Sequence, residues 1–318
     1  MTKIISIHFI LIMVLTILLV ACNKNGNNGT VPKFIIGFSQ CNSAEPWREA
    51  MNKQMESEVA KHSEIKLLIS DAQQSNAKQV ADVENFIVRG VDLLMISPNE
   101  AQPLTGIVEK AYDKGIPVIV IDRKILSDKH TCFIGANNEL IGREAGKCAA
   151  QLLNGKGKIV EISGLKGSTP AIERHNGFMD GIKDYPGIKI IYSQDGAWLR
   201  EKGRSIMENA LQRFEKIDLV YGHNDPMAIG AYLAAQYAGR AKDIYFIGID
   251  GLTGPEGGVQ AVADNKLKAT FIYPTGGGIA VQTALKILKG EKVPKDITLS
   301  TVAITPKNAK EYLVGGNN

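Results

Sequence analysis

The chain has 318 residues, of which 44% are hydrophobic and 22% charged, and its formal net charge is +4 at pH 7. These proportions are those of a globular protein with one large domain or two ordinary ones. Because Lys and Arg are scattered and no nucleic-acid-binding motif stands out, the slight positive balance favours no nucleic acid partner.

The N-terminal segment differs in composition from the rest of the chain. Lys3 precedes the apolar stretch Ile4–Ala21, which stops at Cys22. A basic start, an apolar middle and a small residue before the break are typical of a secretory signal. The string "LLVAC" also resembles a lipobox, in which the cysteine becomes the lipidated first residue; an ordinary cleaved signal and a membrane anchor are the alternatives. We expect residues 1–21 to be a lipoprotein signal peptide and 22–32 a flexible tether, with the protein exported and lipid-anchored at the cell membrane, on its periplasmic or extracellular face.

From Lys33 onward, short apolar strands alternate with amphipathic helices. In the first part we predict strands at 34–39, 65–70, 91–97 and 117–122 and helices at about 47–61, 77–89 and 103–114. The alternation restarts after the string "TCFIGANN", with strands at 158–163, 188–193, 217–222, 243–250 and 268–273 and helices at about 139–153, 170–183, 201–214, 226–237 and 255–264. A helix at about 277–289 and a strand near 299–304 end the series. This pattern predicts an α/β fold of two doubly wound, Rossmann-like lobes with parallel sheets and a ligand cleft between them.

Charged, amide and indole side chains follow the predicted strands. They are Asp122-Arg123, Asn224-Asp225, Asp250, Arg174 near a helix start, and the two tryptophans Trp47 and Trp198. Because the carboxyl ends of parallel strands meet at one edge of a sheet, we expect these side chains to converge. Taken singly, Asp250-Gly251 is also typical of a turn, Asn224-Asp225 of a helix N-cap, and Trp198 of surface packing.

This set of side chains matches the chemistry of a monosaccharide. Guanidinium groups donate planar pairs of hydrogen bonds, carboxylates accept hydroxyl hydrogens, and an amide does both. Indole faces offer flat apolar surfaces to the C–H groups of a ring. The sequence therefore favours a ligand with many hydroxyl groups.

A glycosidase is the enzymatic alternative, since Glu45, Asp122, Asp225 and Asp250 supply carboxylates and a hydrolase needs two. Pairing with Arg123 lowers the pKa expected for Asp122 and makes it a poor general acid. The chain carries no G-x-S-x-G elbow, no H-E-x-x-H string and no glycine-rich phosphate loop. We therefore expect a binding protein without catalytic residues, cofactor or metal.

Several strings in fixed order resemble the periplasmic sugar-binding proteins of the ribose- and galactofuranose-binding type, whose type I fold also forms the effector domains of LacI-like repressors. They are "IGFSQ…WREAM", "DAQQ", "RGVDLLMISP", "GIPVIVIDR", "AIERHNGF", "GHNDPMAIGA" and "IGIDG". The resemblance extends from Lys33 to about Leu313. Its opening string is most similar to furanose-binding members.

The resemblance implies a role for each candidate residue. Asp122 and Arg123 would hold sugar hydroxyls from the first lobe, and Trp47 would cover one face of the ring. In the second lobe, the matching residues are Arg174, Trp198, Asn224 and Asp250. Tyr273 falls near a polar contact of the family, at a place where the alignment is ambiguous.

The string "SAEPWR" departs from the ribose binders, which have an Asn followed by paired aromatic residues there. Ser43, Glu45 and Arg48 would reshape the pocket. Glu45 in particular would add a hydroxyl acceptor, which favours a ligand with an extra hydroxymethyl group over ribose.

In this family the chain crosses between the lobes three times, and the crossings form a hinge. We expect them near 135–138, 273–275 and 294–298. The first lobe would then comprise residues 33–136 plus 274–296, and the second 137–273 plus 297–318.

The resemblance implies a monomeric solute-binding protein that captures a monosaccharide, expected in furanose form, and delivers it to the permease of an ABC transporter. A sensory role, in which the same cleft is presented to a chemoreceptor or a sensor kinase, stays open. The sequence also leaves open whether Cys41, Cys132 or Cys148 forms a disulfide.

Overall fold

The computed structural model describes residues 32–314. The predicted signal peptide, Cys22 and all but the last residue of the predicted tether lie outside this range. Within it, no helix is both long enough and apolar enough to cross a membrane. Cys41, Cys132 and Cys148 are all free thiols.

Strands and helices alternate along most of the described chain. The strands are β1 (Phe34–Gln40), β2 (Ile65–Asp71), β3 (Leu93–Ile96), β4 (Val118–Ile121), β5 (Cys132–Ala136), β6 (Lys156–Ser163), β7 (Gly187–Asp195), β8 (Leu219–Gly222), β9 (Tyr245–Ile247), β10 (Thr270–Phe271), β11 (Asp296–Leu299) and β12 (Ala303–Ile304). The helices are α1 (Pro46–Val59), α2 (Asn76–Arg89), α3 (Ala101–Asp113), α4 (Asn138–Leu152), α5 (Thr169–Ile182), α6 (Arg200–Arg213), α7 (Asp225–Tyr237), α8 (Gly258–Ala263), α9 (Gly277–Leu288) and α10 (Ala309–Val314).

Two parallel sheets form the two lobes, as predicted. The first has the order β11-β5-β4-β3-β1-β2 and the second the order β7-β6-β8-β9. All neighbouring strands in both sheets run parallel. Helices cover the faces, and one apolar cluster extends from the first sheet through Tyr273 into the second lobe, so the two lobes share part of their core.

Local signals set several helix ends. The Ser75 hydroxyl accepts from the Lys78 N–H at the start of α2, and Gly90, at φ 66°, ends that helix in the left-handed region.

Helices α4 and α5 pack closely because glycines face the neighbouring backbone. A Cβ on Gly142 or Gly177 would overlap a carbonyl oxygen of the partner helix.

The last predicted strand, near 299–304, is wrong in one respect: the segment forms two strands in different sheets. β11 pairs with β5 in the first lobe, whereas β12 pairs antiparallel with β10. The predicted lobe boundary at 296/297 therefore falls inside β11, and the third passage between the sheets follows Leu299. A single apolar pattern cannot show which sheet each of its parts joins. Strand β5 had no counterpart in the prediction, and β9 and β10 are shorter than expected.

Candidate functional site

A cavity lies between the two lobes, at the carboxyl ends of both sheets, and the space between its lining atoms is about 310 Å³, part of it open to solvent. It is lined by Glu45, Trp47, Arg48, Asp122, Arg123, Pro170, Arg174, Trp198, Asn224, Asp250 and Tyr273. The nine residues to which the sequence analysis assigned a ligand contact are thus brought together, although they are spread over more than 220 positions of the chain, whereas Ser43 and Asp225 do not line the cavity. Each of these nine side chains is buried.

Asp122 is a buried carboxylate of the first lobe with two guanidinium partners. It directly follows β4 with φ 65°, a left-handed conformation that is uncommon for a residue other than glycine. Its Oδ2 accepts from Arg48 Nη2 at 2.6 Å, while Arg123 Nε lies 3.7 Å away. Burial alone would raise the pKa of Asp122, but Arg48 and then Arg123 outweigh it, so the pKa of this carboxyl lies below its ordinary value.

Arg48 is therefore the nearer partner of Asp122; the expected pairing with Arg123 is present as well, at a longer distance, and also lowers the pKa of Asp122. Arg48 also donates to the Ser97 hydroxyl at 2.9 Å, and its guanidinium lies 4.8 Å from the centre of the Trp47 ring. The sequence analysis named Arg48 only as a departure from the ribose binders. Arg48 lies beside Trp47 in the first turn of the helix that follows a buried strand, and this position in the sequence could have identified it as a residue of the site.

The second lobe supplies Arg174 from helix α5. Its Nε donates to Asn138 Oδ1 at 2.9 Å, and its Nη1 donates to the carbonyl oxygen of His223. Asn224 both caps a helix and lines the cavity. Its Oδ1 accepts from the Met227 N–H at 3.0 Å, so the alternative interpretation as an N-cap is correct for that atom.

A buried acid supports this part of the second lobe from behind. Glu161 is fully buried and accepts from Ser193 Oγ at 2.7 Å, and it contacts His175 Nδ1 at 2.8 Å and His223 Nε2 at 3.1 Å. Burial would raise the pKa of Glu161, but the bonds to the two histidines and the serine outweigh it and the pKa is lowered. The pKa of His175 is raised in turn by its bond to Glu161.

Aromatic rings cover two sides of the cavity. Trp47 donates its indole N–H to the Tyr273 carbonyl oxygen at 2.8 Å, and the two ring centres are 5.5 Å apart. The guanidinium groups of Arg123 and Arg174 lie 5.5 and 5.4 Å from the centre of the Trp198 ring. The Trp198 indole N–H is buried and has no hydrogen-bond partner among the described residues, so it is a donor available to a ligand.

Two further carboxyls, Glu45 and Asp250, face the cavity. Burial raises the pKa of Glu45, against the opposing effects of Arg48, Arg123 and a hydrogen bond from Asn42 Nδ2 at 2.8 Å. Burial, followed by the charge of Asp225, raises the pKa of Asp250 well above its ordinary value. The cavity is thus lined by three guanidinium groups and three carboxyl groups.

The two lobes touch directly around the rim of the cavity. The contacts are Gln74 Nε2 to the Ala197 carbonyl oxygen at 3.3 Å, the Ala101 N–H to the Gly167 carbonyl oxygen at 3.1 Å, the Lys124 N–H to Thr169 Oγ1 at 2.9 Å and Lys124 Nζ to Glu173 Oε1 at 2.8 Å. Each contact joins a residue that follows a strand of the first sheet to one that follows a strand of the second, so the two lobes are in contact in the described conformation. Within residues 32–314, no group of three or more His, Cys, Asp or Glu side chains is arranged to hold a metal ion.

Comparisons with known proteins agree with this geometry. The family model of the periplasmic binding protein domain matches residues 36–292. The chain is 34% identical to the ribose import binding protein RbsB of Bacillus subtilis (strain 168), over 88% of this chain and 92% of that protein. It is 36% identical to the galactofuranose-binding protein YtfQ of Escherichia coli (strain K12), over 87% of this chain and 90% of that protein.

Among solved structures, the fructose-binding periplasmic domain of the hybrid two-component system BT1754 superposes with a TM-score of 0.86. It shares 48% sequence identity and covers 89% of this chain and 94% of that domain. The resemblance drawn from the sequence strings is confirmed by these matches. The chain belongs to the periplasmic binding protein family and has its two-lobed α/β fold.

Proposed function

We propose that this protein is an extracytoplasmic solute-binding protein that captures a neutral monosaccharide, in furanose form, by closing two lobes around it. The observation that carries the proposal is the buried cavity between the lobes, which combines three guanidinium groups, three carboxyl groups and two indoles. Fructose, galactofuranose and ribose are the candidate sugars. Each is named as the ligand of a protein similar to this chain.

The charge of the lining supports a ligand without charge of its own. Arg48, Arg123 and Arg174 face Glu45, Asp122 and Asp250, so the formal charges balance when all six groups are ionised. A sugar phosphate or sugar acid would bring an uncompensated charge into a buried site, which is costly. Hydroxyl groups instead use the donors and acceptors that the lining offers.

Closure follows from the division of the site between the lobes. Trp47, Asp122 and Arg123 belong to the first lobe, and Arg174 and Trp198 to the second. A sugar contacts both sets only in the closed conformation and therefore shifts the population towards it. An affinity of about micromolar, or about −8 kcal/mol, is ordinary for such a site.

The closed protein would deliver its sugar to the permease of an ABC transporter. In this proposal the chain acts as a monomer held at the membrane by a lipid on Cys22, and it catalyses no reaction. The low pKa of Asp122 removes that carboxyl from the possible general acids, because an ionised carboxylate has no proton to donate. A sugar-sensing role is the second candidate. The 48% identity to a periplasmic domain of a two-component system favours it.

A thermal-shift screen of the mature chain against pentoses, hexoses and alditols tests the ligand class. At about 100 times the dissociation constant, a binding sugar stabilises the folded state by about 2.7 kcal/mol. The response should vanish in Arg123→Ala and persist in Lys53→Ala, whose side chain is 69% exposed on α1. If no sugar of the panel raises the melting temperature of wild-type protein that is free of co-purified sugar, the sugar proposal is refuted.

Glu45 is the proposed determinant of the choice among sugars. Its buried carboxyl faces the cavity from the loop before α1 and adds an acceptor beside Asp122. Calorimetric titration of Glu45→Ala with ribose, fructose and galactose should show a shift in preference towards ribose. An unchanged order of affinities would remove this assignment.

Transport and sensing are separated by a deletion of the gene. Loss of sugar uptake with an intact transcriptional response to the sugar indicates the transporter role. Intact uptake with loss of that response indicates the sensor role.

A further inference from the structure

Asp225 lies behind the cavity and does not line it. It is only 2% exposed and makes hydrogen bonds on both sides of Asp250, which does line the cavity. The backbone N–H of Asp225 donates to the Ile249 carbonyl oxygen at 2.6 Å. Its carboxylate Oδ2 accepts from the Gly251 N–H at 2.8 Å and from Thr270 Oγ1 at 2.9 Å. One residue therefore holds the chain immediately before and immediately after Asp250.

The backbone at Asp250 requires such support. Its backbone φ is 138°, a value that residues other than glycine rarely adopt. Conformations of this kind persist only where the surrounding structure holds them, and they concentrate at functional sites. The backbone of Asp250 is also bonded to Phe271 and Tyr273, at 3.0 and 2.9 Å, and without a partner for the Gly251 N–H these two bonds alone would hold the turn that places the Asp250 carboxyl in the cavity wall.

The surrounding chain leaves room for the Asp225 carboxyl. Gly248 and Gly258 both face it, and a Cβ on either residue would overlap its oxygens. Asp225 is the first residue of α7 and follows the N-cap Asn224, so the helix start holds its backbone in place. The carboxyl is thus built into the fold rather than placed on a mobile side chain.

We propose that Asp225 is a positioning residue for the sugar site, which holds the Asp250–Gly251 turn so that the Asp250 carboxyl faces the ligand. This inference rests on the proposed function, since it assigns Asp250 to a sugar contact. Asp225 itself touches no ligand.

The two acids are also coupled through their charge. Burial raises the pKa of Asp225 to about 6, against the bonds from Thr270 and Gly251, and the Asp225 charge raises the pKa of Asp250 further. Of the other charged groups that act on Asp250, Arg174 lowers its pKa, whereas Glu45 and Asp122 raise it. Replacing Asp225 by a neutral residue removes a like charge and lowers the pKa of Asp250.

The test compares Asp225→Ala and Asp225→Asn with the wild type. The asparagine retains an oxygen that can accept from the Gly251 N–H, but it carries no charge. Asp218→Asn is the matched control: its carboxylate also accepts a backbone N–H, that of Lys158 at 2.7 Å, at the amino end of β8 in the same lobe. The affinity for the sugar found in the thermal-shift panel is measured by calorimetry between about pH 5 and pH 8.

We expect the dissociation constant for the sugar to rise about tenfold or more in Asp225→Ala. In Asp225→Asn it should lie much nearer to the wild-type value. Because Asp250 accepts hydroxyl hydrogens as a carboxylate, wild-type affinity should weaken as the pH falls through the pKa of Asp250. In Asp225→Asn that loss should move to lower pH. Wild-type affinity and pH profile in both variants would overturn the proposal, as would equal weakening in both with an unchanged profile.

A readout without ligand separates this inference from the sugar proposal. Carboxyl carbon resonances of Asp250, followed by NMR during a pH titration, should show a lower pKa in Asp225→Asn than in the wild type. If no sugar binds but this shift occurs, the ligand class is wrong and the coupling of the two acids stands. If sugar binds but neither the resonances nor the affinity respond, the positioning role is wrong and the sugar proposal stands.

Discussion

Replacing Arg48 by methionine tests the electrostatic basis of the site. Methionine keeps most of the length of the side chain and its contact with Trp47, but it removes the guanidinium. The bonds to Asp122 at 2.6 Å and to Ser97 at 2.9 Å are lost, and Asp122 Oδ2 retains only Arg123 Nε at 3.7 Å and the Ser97 hydroxyl at 3.4 Å. The variant therefore leaves a buried carboxylate with one charged partner and one neutral donor, both of them distant.

The magnitude follows from the cost of an underpaired buried charge. Removing one partner of a buried, hydrogen-bonded charge pair costs about 2–5 kcal/mol of binding free energy. The dissociation constant for the sugar should therefore rise about 30- to 5,000-fold. Arg123 and Arg174 still act on Asp122 through their charge, which favours the lower part of this range.

The pH dependence of stability provides a second readout. In the wild type the pKa of Asp122 is lowered on folding, so its contribution to stability is present above its unfolded pKa and is lost as the pH falls through the folded value. Without Arg48 the pKa of Asp122 in the folded state rises, so the protein loses less stability through this group as the pH falls. The difference in free energy of unfolding between wild type and variant should therefore narrow as the pH is lowered.

Calorimetric titration and urea denaturation measure the two effects. Lys53→Met is the matched control, because Lys53 lies on the same helix and pairs with Glu49 at the surface, where both side chains are more than half exposed. The control should bind sugar with wild-type affinity. An Arg48→Met protein that is folded and binds within about threefold of the wild type would refute the role assigned to the pair.

Three further predictions concern the second lobe and its core. Trp198→Ala should weaken sugar binding by at least about tenfold in calorimetric titration, whereas Trp198→Phe, which keeps a flat ring, should lose less. Because Glu161 raises the pKa of His175, the stability that this pair contributes is present below the unfolded pKa of His175 and is lost as the pH rises through the raised value. Melting temperatures of His175→Gln should lack this change between about pH 6 and pH 8.5, and an unaltered profile would contradict the assignment. Gly177→Ala should cost about 1–3 kcal/mol in urea denaturation because its Cβ overlaps the backbone of α4, whereas Gly106→Ala, which faces open space on α3, should not destabilise the protein.

The order of strands and helices could be predicted because it depends on local patterns. Buried strands such as Val118–Ile121 are continuous apolar runs, and helices such as α2 place Val80, Val83 and Ile87 on one face. The predicted and observed bounds of most of these elements differ by one or two residues. The exceptions are β5 and α10, which were not predicted, α8, which begins three residues after its predicted start, and strands β9 to β12.

The composition of the cavity lining could be anticipated for a topological reason. In a parallel sheet, the residues after each strand lie at the same edge, so Asp122, Asn224 and Asp250 were expected to converge. Their individual contacts were not predictable. The side chain of Asn224 caps a helix, and only the surrounding backbone shows that its oxygen is used in this way.

What the sequence by itself determined is the alternation of elements, the two-lobed architecture and the kinds of side chain at the strand ends. The tertiary structure alone decided which of these side chains pair. Arg48 and Asp122 are 74 residues apart, and they meet because the first turn of α1 and the carboxyl end of β4 lie at the same edge of the first sheet. Tertiary structure also decided the division of residues 296–304 between two sheets, and the bracketing of Asp250 by Asp225. Pairing and sheet membership depend on distances between segments that are remote in the chain, whereas periodicity reports only on neighbours.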